Sequence, residues 1–330
     1  MIDVATAAAS SPNPSPSTPQ PEKRIVLAPV FGFCWGVRRA LTLLEQAAAS
    51  GPLATVGDVI HNPQVVAALR ERGIEVVGSV AEAAARGFQR VATTAHGAGP
   101  GRAQTAQLAG LTHLDLTCPL VTRVQRLAVK LVNQGYFLVV YGDATHPEVR
   151  GVLAWAGTAR ACAAKEPDAL PWANNAAVPR KVAVISQTTK MPQAFAAFAQ
   201  AVVARVAAAG GEVRIVNTIC GPTRARQGAI AALADAGAEL VLVVGGRKSS
   251  NTARLVEVAR AAGLAAVQVE SPAEVTADVV GTARVVGVTA GASTPDAVVA
   301  AVVEHLQMLG YAPPEWPENH DDVDLDDDDA

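Results

Sequence analysis

The chain is 330 residues long, half apolar, and carries a formal net charge of −3 at pH 7. This length predicts two or three sub-domains around a sizeable core. No uninterrupted apolar run reaches the roughly 18 residues of a membrane span, so no membrane association is predicted. Without the seven aspartates between residues 321 and 329 the charge becomes +4, which is too weak for a nucleic-acid partner and suits a small anionic substrate.

The two ends of the sequence differ in composition from the body. Residues 1–23 are rich in proline, serine and alanine and lack the basic and apolar regions of a secretory signal. They predict a disordered arm on a cytoplasmic protein. Residues 313–330 hold the aspartates and predict a solvated, disordered tail. Without an export signal, the four cysteines are predicted to be thiols or metal ligands, not disulfides.

Between residue 24 and about 310, short β-branched runs alternate with helical patterns. Strands are predicted at 25–30, 90–95, 113–117, 136–142, 181–187, 213–219, 240–246 and 284–290. Apolar residues at helical spacing follow most of them. This alternation predicts α/β layers with mostly parallel sheets. In such sheets ligands bind in the turns beyond the carboxyl ends of the strands.

Three of the four cysteines lie in such turns. Cys34 follows the first predicted strand, Cys118 precedes a proline, and Cys220 precedes a Gly-Pro pair. A helix N-terminus favours the thiolate, which is the form that binds metal. A single buried thiol is more often inert, but three in matching turns favour a metal centre. Cys162 lacks this context and is interpreted as an ordinary core or surface thiol.

The spacing of the cysteines does not identify the metal. No C-x-x-C pair occurs, so the usual zinc-finger and ferredoxin patterns are absent. Zinc held by three thiolates is possible, although structural zinc takes four ligands. An iron–sulfur cubane held by three cysteines would leave one iron without a protein thiolate, able to act as a Lewis acid and to carry electrons.

Other turns contain residues suited to anions. Ser249, Ser250 and Asn251 follow a strand and a glycine pair, and Ser293 lies in a similar turn before the last helix. Hydroxyls and backbone N–H groups at a helix N-terminus can hold a phosphate, although the same residue types are also the preferred helix caps. Neither the Walker pattern nor G-x-G-x-x-G is present, so no nucleotide is predicted.

Histidines lie in three turns: His96 and His146 each follow a predicted strand, and His61 follows the stretch VGDVI. His61, His96 and His146 could hold a diphosphate or transfer protons. Glu148 comes two residues after His146 and could donate a proton if buried, and Thr188 ends another strand with a hydroxyl that can donate and accept. The alternative is that each is a surface loop residue. The remaining histidines are interpreted as structural or solvated: His113, His305 and His320.

Together these turns resemble those of the LytB/IspH family, the 4-hydroxy-3-methylbut-2-enyl diphosphate reductases. The resemblance rests on stretches that occur in the family's order between residue 24 and about 310: GFCWGVRRAL, VIHNPQVVAALRERG, TAHG, DLTCPLVTRV, THPEV, SQTT, TIC, VVGGRKSSNTARL and GVTAGASTPD. One such stretch alone is weak, whereas the ordered set is highly specific.

The resemblance implies a trefoil of three α/β lobes with mostly parallel sheets around one central [4Fe–4S] cluster. The lobes are expected at residues 24–117, 118–217 and 218–312. The implied enzyme is an oxidoreductase that performs the last step of the non-mevalonate isoprenoid pathway. It removes the allylic hydroxyl of its substrate reductively and gives isopentenyl and dimethylallyl diphosphate. A flavodoxin or ferredoxin is the expected electron donor.

The resemblance also assigns roles to single residues. The implied cluster ligands are Cys34, Cys118 and Cys220, with the open iron binding the substrate hydroxyl. The implied catalytic residues are Glu148, which delivers the proton to the departing hydroxyl, and Thr188 and His146, which line the reacting end. The implied substrate pocket consists of His61, His96, His146, Thr188, Ser249, Ser250, Asn251 and Ser293.

Three positions depart from the family pattern. Trp35 follows the first cysteine, Asp143 replaces a histidine, and GPTRARQ follows Cys220. None of these changes removes a matched ligand or pocket residue. Two other interpretations compete with the reductase: a divergent paralogue whose cluster is regulatory or sensing, and a three-cysteine zinc hydrolase of a phosphorylated metabolite.

Overall fold

The computed structural model describes residues 22–157, 159–172 and 177–316. Residues 1–21 of the predicted arm, residues 317–330 of the predicted tail, and His320 lie outside the described residues. The described strands are β1 (Arg24–Leu27), β2 (Leu53–Val56), β3 (Ile74–Val77), β4 (Arg90–Thr93), β5 (Thr112–Asp115), β6 (Phe137–Tyr141), β7 (Ala161–Ala164), β8 (Lys181–Ser186), β9 (Glu212–Ile215), β10 (Leu240–Val244), β11 (Ala265–Val269) and β12 (Val285–Ala290).

Helices follow most of these strands. They are α1 (Trp35–Ala48), α2 (Pro63–Glu71), α3 (Val80–Ala85), α4 (Arg102–Leu108), α5 (Pro119–Asn133), α6 (Pro147–Ala156), α7 (Pro192–Ala208), α8 (Gly221–Asp235), α9 (Ser250–Ala261), α10 (Ala277–Val280) and α11 (Asp296–Met308). Short 3₁₀ turns occupy Pro167–Ala169 and Pro272–Glu274. Among the described residues, no helix is both long and apolar enough to cross a bilayer.

The strands form three four-stranded sheets in which every adjacent pair is parallel. The first sheet has the order β3-β2-β4-β5, the second β7-β6-β8-β9, and the third β1-β12-β10-β11. All carboxyl ends of a parallel sheet lie at one edge, so the turns that follow them gather there. The predicted class, three α/β lobes with parallel sheets, is confirmed.

Strand β1 belongs to a different sheet from the strands that follow it. Arg24–Leu27 pair with Val285–Val288 of β12 and so complete the third sheet, whereas the first lobe was predicted to begin at residue 24. The chain then enters the first lobe through α1, whose Val37, Ala40 and Leu44 pack in the core of the first sheet. Strand propensity shows which residues are extended but not which strand they pair with.

All eight predicted strands occur, and four more escaped the sequence analysis. These four are β2, β3, β7 and β11, with the sequences LATV, IEVV, ACAA and AAVQV. They are only four or five residues long, and three of them contain alanine, which is depleted in strands. A short alanine-containing run resembles part of a helix, so periodicity alone did not identify it.

Apolar side chains fill both faces of each sheet. In β10, Leu242 packs on one face with Val299 of α11, while Val241 and Val243 pack on the opposite face with Ile230 of α8. Successive strand residues point to opposite faces, so a strand covered on both sides is apolar throughout. The run LVLVV of β10 is accordingly buried at every position.

Candidate active site

The three cysteines of the predicted metal centre occupy equivalent positions. Cys34, Cys118 and Cys220 are the residues immediately before α1, α5 and α8. None of their side chains makes a capping hydrogen bond to its own helix. Each helix therefore directs its positive end and its first N–H groups towards a thiol.

The three thiols also lie near one another. A methyl group added at Gly36 would stand 2.5 Å from Cys118 Sγ and 4.0 Å from Cys34 Sγ. Burial, with the charge of Cys34, raises the pKa of Cys118 to about 11. Burial likewise raises the pKa of Cys220 to about 12, with contributions from Cys34 and Cys118, although a hydrogen bond to Thr223 opposes the rise.

This donor set fits a bound metal group. Three buried thiols at positive helix ends resist ionising alone but become thiolates when a metal binds them. Three thiolates can hold either a zinc ion or three irons of an iron–sulfur cubane, so the donor set by itself accommodates both groups.

The three post-strand histidines form one cluster. His61 and His96 stack with ring centroids 4.3 Å apart, and both meet His146 edge-on at 5.4 and 5.3 Å. His61 precedes α2, His96 follows β4, and His146 is the N-cap of α6. Their ligand atoms all lie within 4.8 Å of one another. The turns of the first and second lobes are thereby brought together.

The surroundings of the histidine cluster favour uncharged imidazoles. Burial lowers the pKa of all three imidazoles, to about 4 for His146, and neighbouring positive charges lower it further. His61 Nδ1 and His96 Nε2 are buried and have no hydrogen-bond partner. Buried polar atoms normally have a partner, so these two nitrogens are suited to a bound ligand.

The predicted anion-binding turn of the third lobe lies against this cluster. A methyl group added at Gly246 would stand 2.4 Å from the carbonyl oxygen of His61. Both amide atoms of Asn251 are buried without a partner. Ser249 is buried and caps α9 by accepting from Thr252 N at 3.3 Å.

Two more predicted residues lie at the same edge. Ser250 Oγ accepts a hydrogen bond of 3.2 Å from Thr189 Oγ1, which joins the third lobe to the second. Ser293 is half-buried in the turn between β12 and α11. The turns of all three lobes therefore contribute to one polar site.

Glu148 is the predicted proton donor, and its carboxyl group is only 2% exposed. Its two oxygens accept hydrogen bonds from Thr188 N at 2.8 Å and Thr188 Oγ1 at 2.7 Å. Burial raises the pKa of Glu148, while Thr188 and the charge of Lys190 oppose the rise. His146 Nδ1 accepts from Glu148 N at 3.2 Å, and the charge of Glu148 acts on Cys118. Glu148 is thus joined to the histidine cluster through its backbone, and its carboxyl group is near enough to Cys118 for their charges to interact.

Sequence reasoning missed Arg226, which is 2% exposed. Its Nε donates to Gly32 O at 3.1 Å and its Nη1 donates to Pro222 O at 3.0 Å. Arg226 therefore joins the loop before Cys34 to the start of α8. In the sequence it belongs to a run of alternating arginines that resembles a solvated helix face, so no signal marked it.

Sequence reasoning also missed Lys190 and Gly36. Lys190 is 5% exposed, beside the ring of Tyr141, and its charge lowers the pKa of His146. Asp143, which departs from the family pattern, lies beside the histidine cluster: its backbone carbonyl accepts from His146 N at 3.0 Å, and its charge acts to raise the pKa of His146. The Asp143 carboxylate accepts hydrogen bonds from Thr145 and Lys165, which lower its pKa.

The fold and site define a class: a three-lobed parallel α/β protein with three central thiols beside a polar, anion-suited pocket. The chain belongs to the LytB protein family, whose model matches residues 25–307. An iron–sulfur cluster is known for this family.

Several curated proteins are similar over most of the chain. A 4-hydroxy-3-methylbut-2-enyl diphosphate reductase from Anaeromyxobacter sp. (strain Fw109-5) is 40% identical, covering 86% of this chain and 97% of that protein. One from Dehalococcoides mccartyi (strain CBDB1) is 35% identical, covering 87% and 98%. One from Aquifex aeolicus (strain VF5) is 33% identical, covering 86% and 96%.

Two solved structures share the fold. The E-1-hydroxy-2-methyl-but-2-enyl-4-diphosphate reductase of Plasmodium falciparum superposes with a TM-score of 0.78 at 23% identity, covering 91% of this chain and 94% of that one. An (E)-4-hydroxy-3-methyl-but-2-enyl diphosphate reductase, described as the terminal enzyme of the non-mevalonate pathway, superposes with a TM-score of 0.62 at 30% identity, covering 87% and 99%.

Proposed function

We propose that this protein is a 4-hydroxy-3-methylbut-2-enyl diphosphate reductase. The reaction breaks the allylic C–O bond, consumes two electrons and two protons, and releases water with isopentenyl or dimethylallyl diphosphate. The observation that carries the proposal is the position of Glu148. This buried carboxyl group is held by Thr188 and interacts electrostatically with the Cys118 thiol, and its residue is hydrogen-bonded through the backbone to His146 of the histidine cluster.

We assign one [4Fe–4S] cluster to Cys34, Cys118 and Cys220. The support is the donor set of three neighbouring thiols at helix N-termini, together with the iron–sulfur cluster known for the family. When bound, such a cluster supplies electrons one at a time and an iron without a protein ligand that can act as a Lewis acid.

Glu148 delivers the proton that turns the departing hydroxyl into water. Because the pKa of Glu148 is raised, its carboxyl group keeps its proton to a higher pH than an exposed glutamate does. The Thr188 hydroxyl can donate to the carboxylate and accept from the acid, so it can hold Glu148 before and after proton transfer. His146 contacts the Glu148 backbone and provides a route by which a proton returns.

The diphosphate binds in the polar pocket shared by the three lobes. The unpartnered nitrogens of His61 and His96 and the unpartnered amide of Asn251 support this assignment. The pocket residues are His61, His96, Ser249, Ser250, Asn251 and Ser293. Their hydrogen bonds to the diphosphate fix the allylic end beside Glu148 without taking part in bond breaking.

The electrons come from outside the chain. We propose that a flavodoxin or ferredoxin donates them one at a time, and that the reaction takes place in the cytoplasm. Both proposals follow from the family and from the reaction, which requires two electrons for each substrate.

The test is anaerobic reconstitution with iron and sulfide, followed by turnover of 4-hydroxy-3-methylbut-2-enyl diphosphate with dithionite-reduced methyl viologen. We expect turnover in the wild type, loss of both iron and turnover in Cys34→Ser, and little change in Cys162→Ser. Cys162 is the matched control, because it lies in β7 and packs against the core of the second lobe.

Two results would contradict the proposal. A protein that binds iron and sulfide but does not consume the diphosphate substrate would indicate a paralogue with a regulatory or sensing cluster. A colourless protein that binds only zinc would contradict the cluster assignment itself.

A further inference from the structure

A pocket of about 320 Å³ lies between α5 and the segment 216–220. One wall consists of α5 residues between Leu120 and Lys130, and the other runs from Val216 to Cys220. Helix α5 starts directly after Cys118, and the second wall ends at Cys220. Both walls therefore lead directly to thiols of the central site.

The wall formed by α5 is strongly basic. Arg123, Arg126 and Lys130 are all exposed and line the pocket, and the described residues of the lining include no acidic side chain. Their spacing of three and four residues places the three cations on one side of α5. Arg214 in the adjacent strand β9 is also exposed and donates to Gln134 Oε1 at 3.1 Å.

An apolar surface lies around the edge of the same sheet, on the face opposite to α5. Ile215 in β9, which is an edge strand of the second sheet, is 47% exposed. It borders a shallow groove on α7 that is lined mainly by apolar residues, including Phe195 and Val203. Transient protein interfaces combine apolar contacts with charges that steer the partner, so this combination suits a protein partner better than a small anion.

We propose that an acidic one-electron carrier protein docks on this basic surface, which we call the α5–β9 face (Arg123, Arg126, Lys130 and Arg214). The inference rests on the proposed function and gives the electron donor its docking site. Two encounters each oxidise a reduced carrier by one electron. The group that Cys34, Cys118 and Cys220 would hold would pass these two electrons to the substrate, where two electrons and two protons together break the C–O bond and release water.

A second basic opening lies beside His61, but charge complementarity favours docking of an acidic carrier at the α5–β9 face. The pocket beside His61 contains Arg70, Arg247 and Lys248, but its lining also includes Asp58 and Glu270. The opening beside His61 adjoins the pocket assigned to the diphosphate. The α5–β9 face leads to the thiols without involving the residues assigned to that pocket.

The test compares two electron sources with the same iron-loaded enzyme. The probe is a reduced plant-type ferredoxin, which is acidic, and the reference is methyl viologen reduced by dithionite. We expect Arg126→Glu with Lys130→Glu to lower ferredoxin-driven kcat/KM for ferredoxin by about tenfold or more, because interface charges act chiefly on the association rate. Viologen-driven turnover should not fall. Salt should weaken the wild-type reaction with ferredoxin more than that of the variant.

The matched control is Arg284→Glu, which makes the same charge change as Arg126→Glu at an exposed position at the start of β12. It should leave both reactions unchanged. The inference is overturned if the α5 variants keep the ferredoxin-driven rate, or if Arg284→Glu lowers it as much. Equal loss with both electron sources would also overturn it. Absence of viologen-driven turnover in the wild type would instead contradict the proposed function.

Discussion

At Glu148, burial changes the chemistry of an ordinary side chain. A glutamate on the surface is ionised at neutral pH, but this one is removed from water and has its pKa raised. Both carboxyl oxygens are held by the same residue, Thr188, so the orientation of the group is fixed. A proton donor that is oriented and partly protonated is what general acid catalysis requires.

Replacing Glu148 with Gln should lower turnover by about 10²–10⁴-fold, because the amide cannot donate the proton as an acid does. Iron content should be unchanged. In the wild type, kcat should fall as the pH rises through the raised pKa of Glu148. Glu304→Gln, on the exposed side of α11, should behave as wild type in every assay. Full turnover in Glu148→Gln would contradict the assignment of the proton donor.

The histidine cluster should make stability depend on pH. The pKa of His146 is lowered to about 4, whereas an unfolded histidine titrates near 6.5. Between these values the unfolded chain binds more protons, so the free energy of unfolding should fall as the pH drops from about 6.5 to about 4.

Thermal unfolding across that range measures this effect. His146→Asn, which keeps a side-chain acceptor for the α6 N-cap, should show a shallower pH dependence than wild type. Gln107→Asn, at an exposed position of α4 without a titrating group, should retain the wild-type slope. An unchanged slope in His146→Asn would contradict the prediction.

At the scale of single elements, the N-termini of three helices position the thiols of the site. Helices α1, α5 and α8 each begin directly after a cysteine, so three separate helix dipoles point at one place. The close approach depends on Gly36 in the first turn of α1, because any side chain there would meet Cys118. The first and second thiols can approach only when that position is glycine.

Gly36→Ala should therefore disturb the thiol site and destabilise the protein by about 1–3 kcal/mol, since overpacking forces neighbouring atoms to move. Iron bound per protein after reconstitution should fall. The matched control is Gly228→Ala in α8, where an added methyl group meets nothing within 4 Å. That change should raise stability by about 0.5–1 kcal/mol through helix propensity and leave iron binding intact. Equal iron contents in the two variants would contradict the argument.

At the scale of the whole molecule, the site exists only because three sheets meet at their carboxyl ends. Thr189 joins the second lobe to Ser250 of the third. Gly246 brings the third lobe against the His61 carbonyl of the first. Arg226 holds the loop before Cys34 against the start of α8. Each of these contacts links segments that are far apart in sequence.

Gly246→Ala should separate the first and third lobes, because its methyl group would overlap the His61 carbonyl oxygen. We expect binding of isopentenyl diphosphate, followed by calorimetry, to weaken by about tenfold or more, which corresponds to about 1.4 kcal/mol. Gly101→Ala, where the added methyl meets nothing within 4 Å, is the matched control. Unchanged binding in Gly246→Ala would show that the contact between the lobes does not shape the pocket.

The sequence predicted the elements better than their pairing. Long β-branched runs such as LVLVV marked the buried strands, whereas ACAA and LATV were too short and too rich in alanine to stand out. The partner of β1 was not predictable, because its residues carry no signal for β12, which lies more than 250 residues later. Arg226 was missed because burial of a charged residue depends on partners elsewhere in the chain.

The sequence by itself predicted which residues carry the chemistry. The predicted residues lie in turns after strands: the cysteines, the histidines and Glu148. Neighbouring residues in the sequence decide where a turn forms and where a helix begins, so these positions can be predicted locally. Only the tertiary structure decided that three thiols, three imidazoles and one carboxyl group share a single site. Burial and mutual charge then changed the pKa of these groups. Both effects depend on residues that are distant in sequence and adjacent only in the folded protein.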